Sequence, residues 1–158
     1  MSVAYLQTPL GTAYIEGDTD GLKIVSISND AIPSDFGSIP DDLVISVQQL
    51  ADYFSGKRTI FDLKLNPQGT DFQKRVWAEL LNVPFGRTMS YLDLSRRLGD
   101  EKAIRAVAAA NGKNPIWLII PCHRIIGSDG SLTGYAGGLW RKKWLIEFEK
   151  GGLQGNLF

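Results

Sequence analysis

The chain has 158 residues, 44% apolar and 22% charged, with 17 Lys or Arg against 17 Asp or Glu. This composition excludes global disorder, collagen-like repetition and coiled coil, and no apolar run approaches the ~20 residues of a membrane-spanning helix. One cysteine and one histidine exclude an internal disulfide and leave too few ligands for a structural zinc site. No metal or cofactor is therefore expected. A single unpaired thiol points to a reducing compartment, the cytoplasm. The first residues lack a basic region followed by an apolar stretch, so no signal peptide is expected.

The zero net charge hides an asymmetry. Residues 1–68 carry four Lys or Arg against nine Asp or Glu, a charge of −5; residues 69–158 carry 13 against eight, a charge of +5. The C-terminal part is the candidate for binding a polyanion, though chance variation in surface charge would look the same.

The first third reads as a small α/β domain, residues 1–68. Val3 to Ile15 is apolar and broken by a turn at Pro9-Leu10-Gly11. Asp18 to Gly21 is a second turn signal, and Leu22 to Ser28 has strand character. Residues 29–40, rich in Ser, Asp, Pro and Gly, read as a loop. Leu43, Val47, Leu50 and Phe54 recur at helical spacing, and Gly56 is placed to end that helix. Ile60 to Leu65 alternates and predicts a half-buried strand with Phe61, Leu63 and Leu65 inward. Nothing in this third carries an evident reaction.

Asn66 to Gly69 is the expected junction to a second domain, residues 69–150, with 151–158 as a tail. Thr70 and Gln73 form a capping-box signature, followed by a stripe of Phe72, Val76 and Leu80 with Trp77 and Leu81 beside it. Pro84 and Gly86 end it. Ser90 is placed to cap a helix from Tyr91 to Leu98, closed by Gly99. Asp100 is placed to cap another, Glu101 to Asn111, ended by Gly112. Two short helices joined by a Gly-containing turn have the outline of a helix-turn-helix, an outline shared by purely structural helix pairs. On the second helix Ile104, Val107 and Ala108 point toward a core, and Lys102, Arg105, Ala106 and Ala109 point away. Two cations and two alanines suit a phosphate backbone and offer little with which to read base edges, so DNA binding with weak sequence preference is expected.

The apolar run Ile116 to Ile120 predicts a buried strand that delivers Pro121-Cys122-His123-Arg124-Ile125 to its end. A free thiol has a pKa of about 8.5, and neighbouring cations lower it. A lone cysteine is also the usual small buried apolar residue, and a lone histidine is often structural.

Pro121 to Ile125 resembles the active-site signature of the O6-alkylguanine-DNA alkyltransferases, the methylated-DNA–protein-cysteine methyltransferases. The likeness runs in order through Ser90-Tyr91, Ala103 to Val107, Asn114-Pro115, Gly134 to Gly138 and Trp144 to Glu149, across residues 70–150. It implies a ribonuclease-H-like N-terminal domain and a mainly α, winged helix-turn-helix-like C-terminal domain. Some members hold zinc in the N-terminal domain; residues 1–68 have no cysteine or histidine, so zinc is not carried over.

The resemblance also implies roles. Cys122, as a thiolate, attacks the alkyl carbon on guanine O6, giving a thioether and a protein that acts once. His123 connects to the thiol through a water and to Glu149. Tyr91 assists rotation of the nucleotide and donates a proton toward guanine, and Asn114 buttresses the active-site turn. Arg105 enters the stack in place of the flipped base. Tyr135, Ala136 and Gly137, with Tyr91 and the Ile125 carbonyl, line the base pocket. Lys102, Ala106, Ala109, Arg96, Arg97 and Lys113 face DNA, entered by the minor groove. The implied partner is duplex DNA containing O6-alkylguanine, with no membrane and a monomeric protein. A damage binder of this scaffold without the cysteine, a sequence-specific regulator and a turning-over cysteine hydrolase are the competing readings. Cys122 counts against the first and the alanine-rich face against the second. Adjacency of Cys and His counts against the third, since hydrolases usually draw them from separate segments.

Overall fold

The computed structural model describes residues 1–133, 135 and 137–151. Gly134, Ala136 and the tail beyond Gly151 lie outside the described residues. Two compact units result: Met1–Gln68 with Pro115–Trp117, and Gly69–Asn114 with the chain from Leu118 on.

In the first unit, β1 (Ser2–Thr8), β2 (Gly11–Asp18) and β3 (Gly21–Ser28) form an antiparallel meander in the order β1-β2-β3. Thr8 closes the first turn by donating to the Gly11 carbonyl at 2.8 Å and accepting from the Leu10 amide at 3.0 Å. Gly21 stands at φ +129°, and a Cβ there would lie 2.9 Å from the Lys64 carbonyl oxygen. Only glycine allows that approach. Ala4, Ala13, Ile15, Leu22 and Val25 are buried, as are Leu43, Val47, Leu50 and Tyr53 on and beside α1 (Val44–Phe54). Tyr53 takes the inner place that helical spacing assigned to Phe54, which is half-buried.

The expected strand at Ile60–Leu65 does not form. Phe61, Leu63 and Leu65 are less exposed than their neighbours, so the alternation is present. Only one bridge is made, Leu22 with Leu65. The Gln49 side chain takes the place of a strand partner, donating to the Asp62 carbonyl at 3.1 Å and accepting from its amide at 2.9 Å. The apolar run at 116–120 is likewise not a strand. It is buried throughout, but it contributes a single bridge, Ile116 to Val25. Trp117 then stacks near Phe54, ring centroids 6.3 Å apart.

In the second unit, α2 (Asp71–Leu80) begins at a complete capping box between Thr70 and Gln73. Its buried face is Val76, Trp77 and Leu80; Phe72 is only half-buried and Leu81 is exposed, so the apolar stripe is narrower than expected. Trp77 donates from Nε1 to the Ala110 carbonyl at 2.8 Å, tying α2 to α4 (Ile104–Gly112). Ser90 caps α3 (Tyr91–Arg97), and Gly99 follows at φ +90°. Asp100 caps a 3-10 turn at Glu101–Ala103, and only then does α4 begin; Gly112 is its last residue. Two-residue strands β4 (Met89–Ser90) and β5 (Ile125–Ile126) pair in parallel. The last described helix is α5 (Leu139–Glu149). No helix among the described residues is long and apolar enough to cross a membrane.

Candidate active site

Cys122 opens a 3-10 turn, Cys122–Arg124, instead of standing at a strand tip. The preceding backbone turns sharply. Leu118 has φ +73°, the left-handed region, although it is buried and carries a branched side chain. Such a conformation costs about 1–3 kcal/mol and persists only where the surroundings over-determine it. Asn114 supplies part of that determination, donating from Nδ2 to the Ile120 carbonyl at 2.7 Å and to Cys122 Sγ at 3.2 Å. The Asn111 amide reaches the Cys122 carbonyl at 3.5 Å.

Cys122 is 7% exposed. Burial pushes its thiol up, and the Asn114 hydrogen bond and the charge of Lys142 oppose that without reversing it. The sequence expectation of a thiol lowered by neighbouring cations is thus corrected. Desolvation of a thiolate outweighs the two groups that favour it.

His123, Arg124 and Glu149 are buried together. Nε2 of His123 lies 2.8 Å from Glu149 Oε2. Arg124 donates to both oxygens of the same carboxylate, at 2.8 and 3.0 Å, and to the Val83 carbonyl at 2.7 Å. Burial alone would push the Glu149 carboxyl up, but His123 and Arg124 outweigh it and hold Glu149 well below the usual carboxylate range. Burial lowers the pKa of His123, against the pull of Glu149, and favours the neutral ring. With Nε2–H given to Glu149, Nδ1 is left as a buried acceptor with no hydrogen-bond partner among the described residues. Glu149, which by sequence alone reads as a solvated helix-end residue, is 6% exposed.

A third group was not anticipated from the sequence. Lys142 is fully buried; Nζ donates to the Thr133 carbonyl at 3.0 Å and lies 5.7 Å from the Tyr91 ring centre and 5.9 Å from that of Tyr135. Burial pulls its pKa down to about 8, and the Cys122 charge opposes that. The available signal was its place on α5, three residues before Leu145 and seven before Glu149, on the inward face. Arg141, also buried, donates to the Gly137 carbonyl at 2.8 Å and lies 4.5 Å over the Trp140 ring. Tyr91 donates to the same Thr133 carbonyl at 3.2 Å, and burial raises its pKa.

Tyr91, Thr133, Ile104, Arg105 and Ala108 line a cavity of about 340 Å³. Ile104 and Ala108 therefore border this space while Val107, Ala110 and Asn111 form the buried side of α4. Lys102, Arg105, Ala106 and Ala109 are exposed, as is Lys113. Arg96 and Arg97 are engaged within the unit, Arg96 with Asp93 and Glu101 and Arg97 with Glu79. Tyr135 and Ile125 are buried. Ala136, expected in the pocket, lies outside the described residues. No group of His, Cys, Asp and Glu suited to a metal occurs among the described residues.

Residues 71–151 match the family profile described as 6-O-methylguanine DNA methyltransferase, DNA binding domain. A methylated-DNA–protein-cysteine methyltransferase of Methanosarcina barkeri is 44% identical over 153 residues, covering 94% of this chain and 97% of the relative. The crystal structure of a Mycobacterium tuberculosis O6-methylguanine methyltransferase is similar, with TM-score 0.83, 42% identity and coverage of 95% of this chain and 93% of that one. The Mycobacterium tuberculosis OGT in complex with DNA is similar at TM-score 0.84 and 41% identity, over 94% and 92% of the two chains.

Proposed function

The chain belongs to the 6-O-methylguanine DNA methyltransferase family, and from that premise we propose that it repairs O6-alkylguanine in duplex DNA by taking the alkyl group onto Cys122, once per molecule. The observation that carries this reading is the Cys122 thiol, fixed by Asn114 and adjoining a buried base whose partner carboxylate is ionised.

The step balances as follows. The Cys122 proton passes through a water to His123 Nδ1, the buried acceptor that Glu149 orients. Asn114 and Lys142 stabilise the resulting thiolate against desolvation. Sulfur attacks the alkyl carbon, the carbon–O6 bond breaks, and its electrons go to guanine. Tyr91 supplies the proton that guanine takes up. The product is a thioether, which neither hydrolyses nor reduces readily, and no second cysteine exists to accept the group.

The target atom is inside the helix stack, so the nucleotide is flipped. The cavity beside Tyr91 receives it, with Arg105 at its rim filling the gap. Tyr135, Gly137 and the Ile125 carbonyl line the base pocket. The small exposed face of Ala106 and Ala109 suits the minor groove with little sequence preference, with Lys102, Lys113, Arg96 and Arg97 toward phosphates. We read residues 69–150 as a winged helix-turn-helix-like catalytic domain and 1–68 as its ribonuclease-H-like support. The protein acts as a monomer, and a nucleophilic thiol that must stay reduced fits the cytoplasm.

The test is a mass measurement after incubation with excess duplex containing O6-methylguanine. One methyl per chain, on Cys122, is expected, with activity then exhausted; repeated turnover would instead support the hydrolase reading. Cys122→Ser abolishes transfer and keeps DNA binding. Arg105→Ala slows duplex repair more than reaction with a free alkylated base; equal losses would remove the role given to Arg105.

A further inference from the structure

Arg141 takes no part in the chemistry described so far, yet it is only 7% exposed on the first turn of α5. Burying a guanidinium is costly, so its contacts are informative. Nη1 donates to the Gly137 carbonyl at 2.8 Å, reaching back across the start of the helix. The guanidinium lies 4.5 Å over the Trp140 ring, and that ring covers Gly138. A Cβ on Gly138 would stand 3.4 and 3.5 Å from two atoms of the indole, and the residue is at φ +92°, a conformation that favours glycine.

These contacts act on backbone that is already folded back on itself. The Gly138 amide donates to the Tyr135 carbonyl at 3.0 Å, and the Gly138 carbonyl accepts from the Arg141 and Lys142 amides at 3.2 Å each. The Lys142 side chain holds the Thr133 carbonyl at 3.0 Å. Neighbouring cations on α5 thus hold one carbonyl on each side of Tyr135, Lys142 that of Thr133 and Arg141 that of Gly137. The Tyr135 ring lies 5.9 Å from Lys142 Nζ, and the Tyr91 ring 5.7 Å from the same atom. Thr133 and Tyr91 border the cavity.

We infer that Arg141 is a positioning residue that determines specificity. It fixes the Gly137 carbonyl and, through Gly138, the backbone of Tyr135. It thereby sets one wall of the base pocket and the size of the O6-alkyl group that reaches Cys122 in line. A pinned wall does not retreat for a bulky group, because a packed surface takes added volume only by shifting. A methyl group gains from the same rigidity, since transfer needs its carbon held close to the sulfur and aligned. This rests on the reading that Tyr135 and Gly137 line the base pocket.

The experiment is single-turnover transfer to the full chain from duplex O6-methylguanine and, in parallel, from duplex O6-benzylguanine. The proteins are the native chain, Arg141→Met, Arg141→Lys, Trp140→Ala and Tyr135→Ala. Arg141→Met keeps the apolar stem and loses the donor. It slows methyl transfer by about 10-fold and benzyl transfer by about twofold, so the benzyl-to-methyl ratio rises about fivefold, within what a small misplacement of a bound group costs. Arg141→Lys keeps a donor for Gly137 and returns the ratio to within about twofold of native. Trp140 is 54% exposed, so its removal does not threaten folding. Trp140→Ala frees Gly138 and loosens the guanidinium, and the ratio rises about twofold. Equal losses on the two substrates in Arg141→Met, no loss on either, or a lysine variant that behaves like the methionine one would overturn the role of Arg141. Should Arg141→Met not fold, an unchanged ratio in Trp140→Ala would do the same. Tyr135→Ala with native rates on both substrates would overturn the pocket assignment. A native chain that takes neither group onto Cys122 would overturn the repair reading itself.

Discussion

The two units bury their polar groups in opposite ways. In the first, the buried polar side chains are Thr8, Thr12, Ser46 and Gln49, all neutral; in the second they include His123, Arg124, Arg141, Lys142 and Glu149. Two of the neutral groups mend local backbone gaps: Thr8 closes a turn and Gln49 substitutes for a missing strand partner at Asp62. Of the ionisable groups, His123 and Arg124 follow Cys122 in its turn and both bond Glu149, and the Lys142 charge acts on the thiol. Taking a charge from water is expensive, and apolar residues of similar volume often serve stability as well or better. Among the described residues, buried charge is therefore confined to the unit that holds Cys122, and the sheet unit does without.

The largest effect that sharpens this contrast is at Glu149. Glu149→Ala leaves Arg124 buried and unpaired, and should cost about 3–5 kcal/mol in urea unfolding. Since Glu149 is held below the usual carboxylate range when folded, its contribution is present at neutral pH and is lost as pH falls below the ordinary carboxylate range toward the folded value. The matching change in the sheet unit, Gln49→Ala, strands only the neutral Asp62 backbone and should cost about 1–3 kcal/mol by the same measurement. Equal costs would break the comparison.

Lys142→Met should separate stability from function, raising stability by about 1 kcal/mol at neutral pH while slowing transfer. The lysine is pulled down to about 8 in the fold from an ordinary 10.5, so the unfolded chain binds more protons between those values. Wild-type stability then rises with pH across that window, and the slope should vanish in the variant. Wild-type transfer should fall above pH of about 8, where the cation beside Cys122 is lost. The smallest effect is Thr70→Ala, which removes the α2 cap and should cost about 1 kcal/mol without altering transfer by bound DNA.

Much of the secondary structure was legible. Turns at Gly11 and Gly21, the Thr70–Gln73 box and the caps at Ser90 and Asp100 are local signals, and all appear. The two expected strands that failed, 60–65 and 116–120, failed for one reason. Alternation or apolarity shows that a segment is buried, while a strand also needs a neighbour to pair with along its length. Among the residues gathered at the site, the resemblance named Cys122, His123, Glu149, Tyr91 and Asn114, while Lys142 and Arg141 belong to no motif and their burial depends on tertiary packing.

Residue types and their local spacing were enough to place the caps that open α2 and α3, to set one thiol beside one imidazole in the chain, and to show that α4 exposes cations among alanines. Three-dimensional packing alone decided the direction in which each group's pKa moves. Burial raised Cys122, lowered His123 and Lys142, and let Arg124 and His123 fix the charge of Glu149. Desolvation depends on what surrounds a group from every side, and those surroundings come from segments far apart in the chain.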